Sequence, residues 1–184
     1  MSKKKIKIAI VGATGYVGLD LIKFLSKHPM VKIKYLCAQK KIGKNIQLFN
    51  KKLPKKLPLI SNLKLVNWDS VDVLFCALPN GEAQLLSKKL INKNLHIIDL
   101  SADFRLTNTS EYKKFYGINH KAKKLINQSI YSVSEFTKKK INQYKIIACA
   151  GCYPTSIQLP LLPLIKKNLI NNKNIIIDSK SGYS

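Results

Sequence analysis

Ile6-Lys-Ile-Ala-Ile-Val11-Gly12-Ala-Thr-Gly15-Tyr-Val-Gly18 is the stretch on which the fold turns. Ile6 to Val11 reads as a buried strand. Tyr16 to Lys27 reads as a helix, with Val17, Leu21, Ile22, Phe24 and Leu25 on one face. Between them stand glycines at spacing three and three. In that context Gly12 permits a tight turn, Gly15 lets backbone approach a pyrophosphate, and Gly18 lets helix and strand pack closely. The helix then offers its first N–H groups, and the positive end of its dipole, to an anion. Gly12, Ala13, Thr14, Gly15, Tyr16, Val17 and Gly18 are therefore expected to cradle a dinucleotide; the plain alternative is a structural turn.

Outward from this unit the strand and helix signals alternate. His28-Pro29 stops the first helix, because proline cannot continue the hydrogen-bond ladder. Val31 to Cys37 is a second strand, and Gly43 to Ser61, with Pro54 and Pro58 among lysines, reads as a loop. Val71 to Ala77 and His96 to Leu100 are further buried strands, flanking a helix from Glu82 to Ile91. Ser101 to Gln143 weakens into loops and short pieces. Ile146 to Cys149 is a strand, followed by a helix from about Thr155 to Lys167 and a new strand at Ile175 to Asp178. This alternation argues for an α/β, doubly wound parallel sheet of Rossmann type, followed by the start of an α+β domain. The expected boundary divides 1–151 from 152–184.

Composition narrows the function. The chain has 184 residues, 46% of them apolar, and a formal net charge of +24. Arg105 is the only arginine among 33 basic residues; the rest are lysines scattered among Asn and Ile. A nucleic-acid binder would concentrate arginine and interleave aromatics along a basic stripe. Coding bias toward A+T-rich codons accounts for the charge more simply, so no nucleic-acid partner is expected. No apolar run of about 18 residues or more suggests a membrane span. Nor does the basic N-terminus lead into a secretory signal. A cytoplasmic protein is expected.

The second strand of an NAD-binding sheet usually ends on a carboxylate that holds the ribose 2′-OH. Here it runs into Ala38-Gln39-Lys40-Lys41. With no acid there and Lys40 or Lys41 able to meet a 2′-phosphate, NADP is favoured over NAD.

Four cysteines stand at 37, 76, 149 and 152. Cys149-Ala-Gly-Cys152 is formally a C-x-x-C, but His28, His96 and His120 lack the spacing to complete a zinc site. Cys149 belongs to an apolar strand and is expected to be inert. Cys152 precedes Tyr153-Pro154-Thr155 at a probable helix start, where proline is favoured and the helix dipole favours a thiolate. Taken alone, Cys152 could equally be a small core residue.

Gly12 to Gly18, Ala77 to Gly81, Asp99-Leu-Ser-Ala-Asp-Phe-Arg-Leu106 and Tyr116-Gly-Ile-Asn-His120 together resemble the N-acetyl-γ-glutamyl-phosphate reductases, of the semialdehyde dehydrogenase superfamily. The resemblance continues through Tyr131 to Glu135, Gly151-Cys-Tyr-Pro-Thr155 and Lys180-Ser-Gly182. It implies NADPH-dependent reduction of an acyl phosphate in arginine biosynthesis, with Cys152 as nucleophile. It also implies Pro79, Ser181 and Gly182 at the cofactor and Ser101 beside the substrate. Arg105 is read either as a bidentate grip on the substrate's phosphate or carboxylate, or as a structural ion pair with Asp99 or Asp103. The family's histidine acid/base matches none of His28, His96 or His120. Where the family has Asn-Pro before Gly-Cys, this chain has Cys149-Ala150. It also has Ser132-Val133-Ser134 in a turn that is elsewhere Gly-Leu-Pro, and Ala38-Gln39 in place of Ser-Arg.

Family members continue past Ser184, so the chain is expected to be the N-terminal part of such an enzyme, a homo-oligomer if the second domain is complete. Two other readings stay open: reduction of a related aspartyl or aminoadipyl phosphate, or an inactive, basic cofactor-binding chain.

Overall fold

The computed structural model describes residues 4–180. Seven strands form one sheet in the order β3-β2-β1-β4-β5-β7-β6, and every pairing in it is parallel. They are β1 (Ile6–Val11), β2 (Val31–Cys37), β3 (Ile60–Ser61), β4 (Val73–Cys76), β5 (His96–Asp99), β6 (Ser129–Ser132) and β7 (Ile146–Cys149). The helices are α1 (Tyr16–Leu25), α2 (Glu82–Leu90), α3 (Thr109–Tyr116), α4 (Ser134–Thr137) and α5 (Cys152–Lys166).

β1 shows why the sheet is covered on both sides. Successive strand residues face opposite ways. Ile8 and Ile10 pack with Ile22 of α1 and with Ile33 and Leu36 of β2. Ala9 and Val11 point the other way, into a core holding Ala83, Leu86 and Leu90 of α2. A strand with no polar face can sit only in the middle of such a sandwich. The chain winds outward from β1 through β2 to β3, then returns to lay β4 on the opposite side of β1. That reversal opens a crevice at the carboxyl ends of β1 and β4, where sheets of this kind take their ligands.

The fold class and the five long strands of the sequence reading hold, with shifts at their ends. The stretch 43–61 contributes β3, which the proline and lysine content hid. The stretch 101–143 contains α3, β6 and α4, too short to carry a clear period. α5 begins at Cys152, three residues ahead of the expected start. Pro154 falls in its first turn, where a missing N–H costs nothing.

Ile175–Asp178 is not a strand: it pairs with nothing among the described residues, and Ile176 is 95% exposed. Isoleucine-rich sequence favours extended backbone, but a strand needs a neighbour to take its N–H and C=O groups. Ser181 and Gly182 lie outside the described residues.

Candidate active site

Register places the ends of four adjacent strands in one row. Val11 pairs with Cys76, Cys76 with Asp99, and Asp99 with Ala148, the residue before Cys149. The four segments that leave these ends, at 12–18, 77–81, 100–105 and 150–152, therefore meet along one edge of the sheet.

The first is the glycine turn. Gly12 has φ +84°, and a Cβ there would lie 2.0 Å from the Ala77 carbonyl oxygen. At Gly18 a Cβ would lie 2.2 Å from the Gly12 carbonyl oxygen. Both are glycine because backbone occupies the space. Gly15 differs: its nearest neighbour would be 3.6 Å away, so the position is open. Gly15 is also the N-cap of α1 and brings no side-chain hydrogen bond, which leaves the first N–H groups of the helix (Tyr16, Val17, Gly18) without a cap. Tyr16 and Val17 are exposed beside them. Ala13 is placed differently from its neighbours. It is fully buried, and its N–H, like that of Gly12, donates to the Cys37 carbonyl at 3.0 Å. It fixes the turn to β2 from beneath. Thr14 stands partly exposed on the turn, Lys40 is exposed just beyond β2, and Pro79 is exposed after β4.

The helix after β4 is treated in the opposite way. Asp103, fully buried, reaches from the β5 loop and accepts from Gly81 N at 2.7 Å and Gln84 N at 3.1 Å. It also accepts from Gln84 Nε2 at 3.0 Å and from the Tyr112 hydroxyl at 2.6 Å. The start of α2 is thus capped across 22 residues by a side chain that no local pattern reveals. Asn80 joins in, its Oδ1 accepting from Ala102 N at 3.1 Å.

His120 completes this network. Its Nε2 lies 2.7 Å from the Asp103 carbonyl, and Nδ1 accepts from Ala122 N at 3.2 Å. Its ring packs edge-on against Phe104 and Tyr112. Burial holds the imidazole below its ordinary value, with the Asp103 carbonyl and charge opposing and Lys123 adding a little. A buried, neutral imidazole with both nitrogens in use is a structural element here.

Ser101 also sits under the site. Its hydroxyl donates to Asp99 Oδ1 at 2.7 Å and accepts from Asp103 N at 3.1 Å. With 6% of the residue exposed, it braces the loop and presents no free hydroxyl edge. Asp99 is fully buried, and its second oxygen has no hydrogen-bond partner. Desolvation pushes its carboxyl up to about 6 against the lowering effect of the Ser101 hydrogen bonds.

Arg105 does not form the structural ion pair that was one of its two expected arrangements. Among the described residues no ion pair joins it to Asp99 or Asp103. Its Nε donates instead to the Cys149 carbonyl at 2.8 Å and its Nη2 to the Leu100 carbonyl at 3.2 Å. Its Nη1 lies 3.0 Å from where a Cβ on Gly151 would sit. The only arginine of the chain thus bridges the ends of β5 and β7, against the turn that carries Cys152.

Cys152 is exposed as the first residue of α5, whose N-cap Gly151 makes no side-chain cap. The other thiols are set apart from it. Burial pushes Cys37 up to about 12. Burial pushes Cys76 well up too, with the charges of Asp99 and Asp103 adding to it. Cys149 rises to about 11, burial leading, Asp99 adding and Arg105 opposing. The connection from Cys149 to Cys152 is extended: Ala150 N still pairs with Ser132 O, and Gly151 has ψ 169°. Among the described residues no group of acids, histidines and cysteines could hold a metal, and no helix is long and apolar enough to cross a membrane.

Residues 7–144 match the family model "Semialdehyde dehydrogenase, NAD binding domain". The chain belongs to the semialdehyde dehydrogenase family. Residues 152–184 match the family's dimerisation-domain model. A protein of Arabidopsis thaliana named probable N-acetyl-gamma-glutamyl-phosphate reductase, chloroplastic, is 42% identical over 183 residues, covering 99% of this chain and 45% of that protein. An N-acetyl-gamma-glutamyl-phosphate reductase of Ehrlichia ruminantium is 42% identical, covering 98% and 52%. The chain thus spans about half the length of the curated relatives it matches. The aspartate semialdehyde dehydrogenase of Candida albicans, solved with NADP, superposes with a TM-score of 0.65 at 22% identity, over 89% of this chain and 48% of that one. That likeness is one of fold.

Proposed function

We propose that this member of the semialdehyde dehydrogenase family carries the cofactor cradle and the nucleophile of an NADPH-dependent acyl-phosphate reductase. Its substrate would be N-acetyl-γ-glutamyl phosphate, and its products N-acetylglutamate semialdehyde and phosphate, in arginine biosynthesis. The observation that carries this reading is the placement of exposed Cys152 at an uncapped helix start, on the same strand-end edge as the uncapped glycine turn of α1. The 42% identity to proteins named for that reaction supports the substrate.

The turn fits a dinucleotide. Its two obligatory glycines are filled from below by backbone, its middle glycine is open, and the N–H groups of Tyr16, Val17 and Gly18 are free to meet a pyrophosphate. Lys40 and Lys41, with no carboxylate between 38 and 41, suit a 2′-phosphate. Bound NADPH supplies the hydride.

The chain's own residues do the rest. The Cys152 thiolate attacks the γ-carbonyl carbon; the carbon–oxygen bond to phosphate breaks, phosphate leaves, and a thioester on Cys152 remains. Hydride addition at the thioester carbon would leave a tetrahedral alkoxide still bonded to the Cys152 sulfur; its collapse breaks the carbon–sulfur bond, frees the aldehyde and restores the Cys152 thiolate. Arg105 holds two backbone carbonyls through Nε and Nη2, and its remaining Nη1, against the Cys152 turn, would face the substrate's phosphate. His120, with both ring nitrogens engaged in the buried network, is not the proton carrier. We divide the chain at 151/152 into a cofactor domain and the first part of a domain through which the protein would form a homo-oligomer.

The test is spectrophotometric. Reduction of NADP by N-acetylglutamate semialdehyde should require phosphate, exceed the rate with aspartate semialdehyde, and vanish in Cys152→Ser. Equal rates with the two aldehydes would overturn the substrate, and an active Cys152→Ser would overturn the nucleophile.

A further inference from the structure

The segment that most distinguishes this site is not the cysteine turn itself but what holds it. β7 ends at Cys149 and α5 begins at Cys152, with two residues between them, so the place of Cys152 depends on where one short connection is pinned. Ala150 N fixes one side of it to Ser132 O at 3.0 Å. The other side is held by a side chain from a different strand end. Arg105 takes the Cys149 carbonyl through Nε and the Leu100 carbonyl through Nη2, with Nη1 packed on Gly151.

We infer that Arg105 is a positioning residue: it clamps the Cys149–Gly151 connection to the end of β5 and so fixes the start of α5 and the Cys152 thiol at the site. Three features support this. The guanidinium is planar, with donors fixed in a fork, so one side chain can span two carbonyls from two strands; a lysine ammonium offers its donors from a single point. Gly151 has φ −71°, a conformation open to any residue, so its lack of a side chain is not explained by backbone. A Cβ there would meet Nη1 at 3.0 Å, so the guanidinium would have to give by a few tenths of an ångström while its Nε and Nη2 stay tied to two carbonyls. Finally, α5 has no buried residue; further along it Gln158 Nε2 donates to the Tyr131 hydroxyl at 3.1 Å, whereas at its start the Arg105 fork is the side chain that holds the connection.

This inference rests on Cys152 being the nucleophile, and the experiment separates the two. Second-order rates of carboxamidomethylation by iodoacetamide are measured at each cysteine of the folded chain by peptide mass mapping. Wild type, Arg105→Lys, Arg105→Gln, Gly151→Ala and the double variant Arg105→Lys/Gly151→Ala are compared. Cys152 of the wild type should react first. Arg105→Lys and Gly151→Ala should each slow it by about tenfold, the scale on which a thiol's surroundings set its reactivity. Because both break one contact, the double variant should be no slower than the worse single one.

A wild-type rate in Arg105→Lys with a slow Arg105→Gln would show that charge alone acts and would overturn the clamp. Multiplying effects in the double variant would overturn it too. Equal labelling of all four cysteines in the wild type would instead remove the nucleophile reading. Should the arginine variants fail to fold, Gly151→Ala decides alone, since its backbone accepts alanine. A wild-type rate there overturns the inference.

Discussion

Cys152 and Cys149 stand three residues apart, and their chemistry diverges because one is exposed at a helix start and the other half-buried in a strand. Iodoacetamide at neutral pH should therefore label Cys152 well ahead of Cys149, Cys37 and Cys76, whose thiols burial keeps protonated. Comparable labelling of Cys37 in the native chain would contradict this. Asp99 makes a second residue-scale prediction. Its carboxyl is raised to about 6 from an unfolded value near 3.8, so the folded state binds its proton more tightly. The sign follows: wild-type stability falls, through this group, as pH rises from about 4 to about 6. The full cost above that window is on the order of 3 kcal/mol. Urea unfolding of Asp99→Asn should show the variant gaining on wild type between pH 4 and pH 7, whatever the other carboxyls contribute equally to both. A constant difference would refute it.

The two helix starts that flank the crevice are built for different ends. α1 begins with an uncapped glycine beside open space, whereas α2 begins under the Asp103 carboxyl, which takes four donors. The first end is open and the second is closed by the protein itself. Gly15→Ala should accordingly fold with nearly wild-type stability and yet bind NADPH more weakly, measured by fluorescence titration. Gly12→Ala should lose several kcal/mol because its Cβ would strike backbone at a positive φ. Asp103→Ala strands buried donors on Gly81, Gln84 and Tyr112, at a cost of about 3 kcal/mol or more by urea unfolding. A milder loss would mean that α2 starts without its cap.

Over the whole molecule, 33 basic residues face 9 acidic ones, and the described residues contain two ion pairs, both on the surface. Such a charge distribution repels itself, and surface repulsion is screened over about 8 Å at physiological ionic strength. The melting temperature should therefore rise with sodium chloride from low salt to about 0.3 M. A flat response would show that the lysines are spaced too widely to strain the fold. α5 is the other feature of this scale: largely apolar in sequence yet with nothing buried, and followed by exposed Ile175, Ile176 and Ile177. Its apolar side chains belong with the match of 152–184 to a dimerisation domain.

The alternation of apolar strands and helices, and the glycine spacing, were legible along the chain because they are local: period, turn and phosphate cradle are written within one βα unit. Residues 6–18 mark one strand–turn–helix unit, and the alternation of elements along the chain marks the parallel sheet. Cys152 was also locally marked, by Gly151 before it and Pro154 after it. Other assignments needed the third dimension. Ile175–Asp178 had strand composition but no partner. Ser101 was placed beside the substrate by resemblance, and only the fold shows its hydroxyl bonded to Asp99 and Asp103 N. Asp103 and Arg105 act across 22 and 44 residues, on Gly81 and Cys149, and no periodicity reports such a distance. Hydrogen bonds of that range exist only once parallel strands bring their carboxyl ends into one row, and there the tertiary structure decided what the sequence could not.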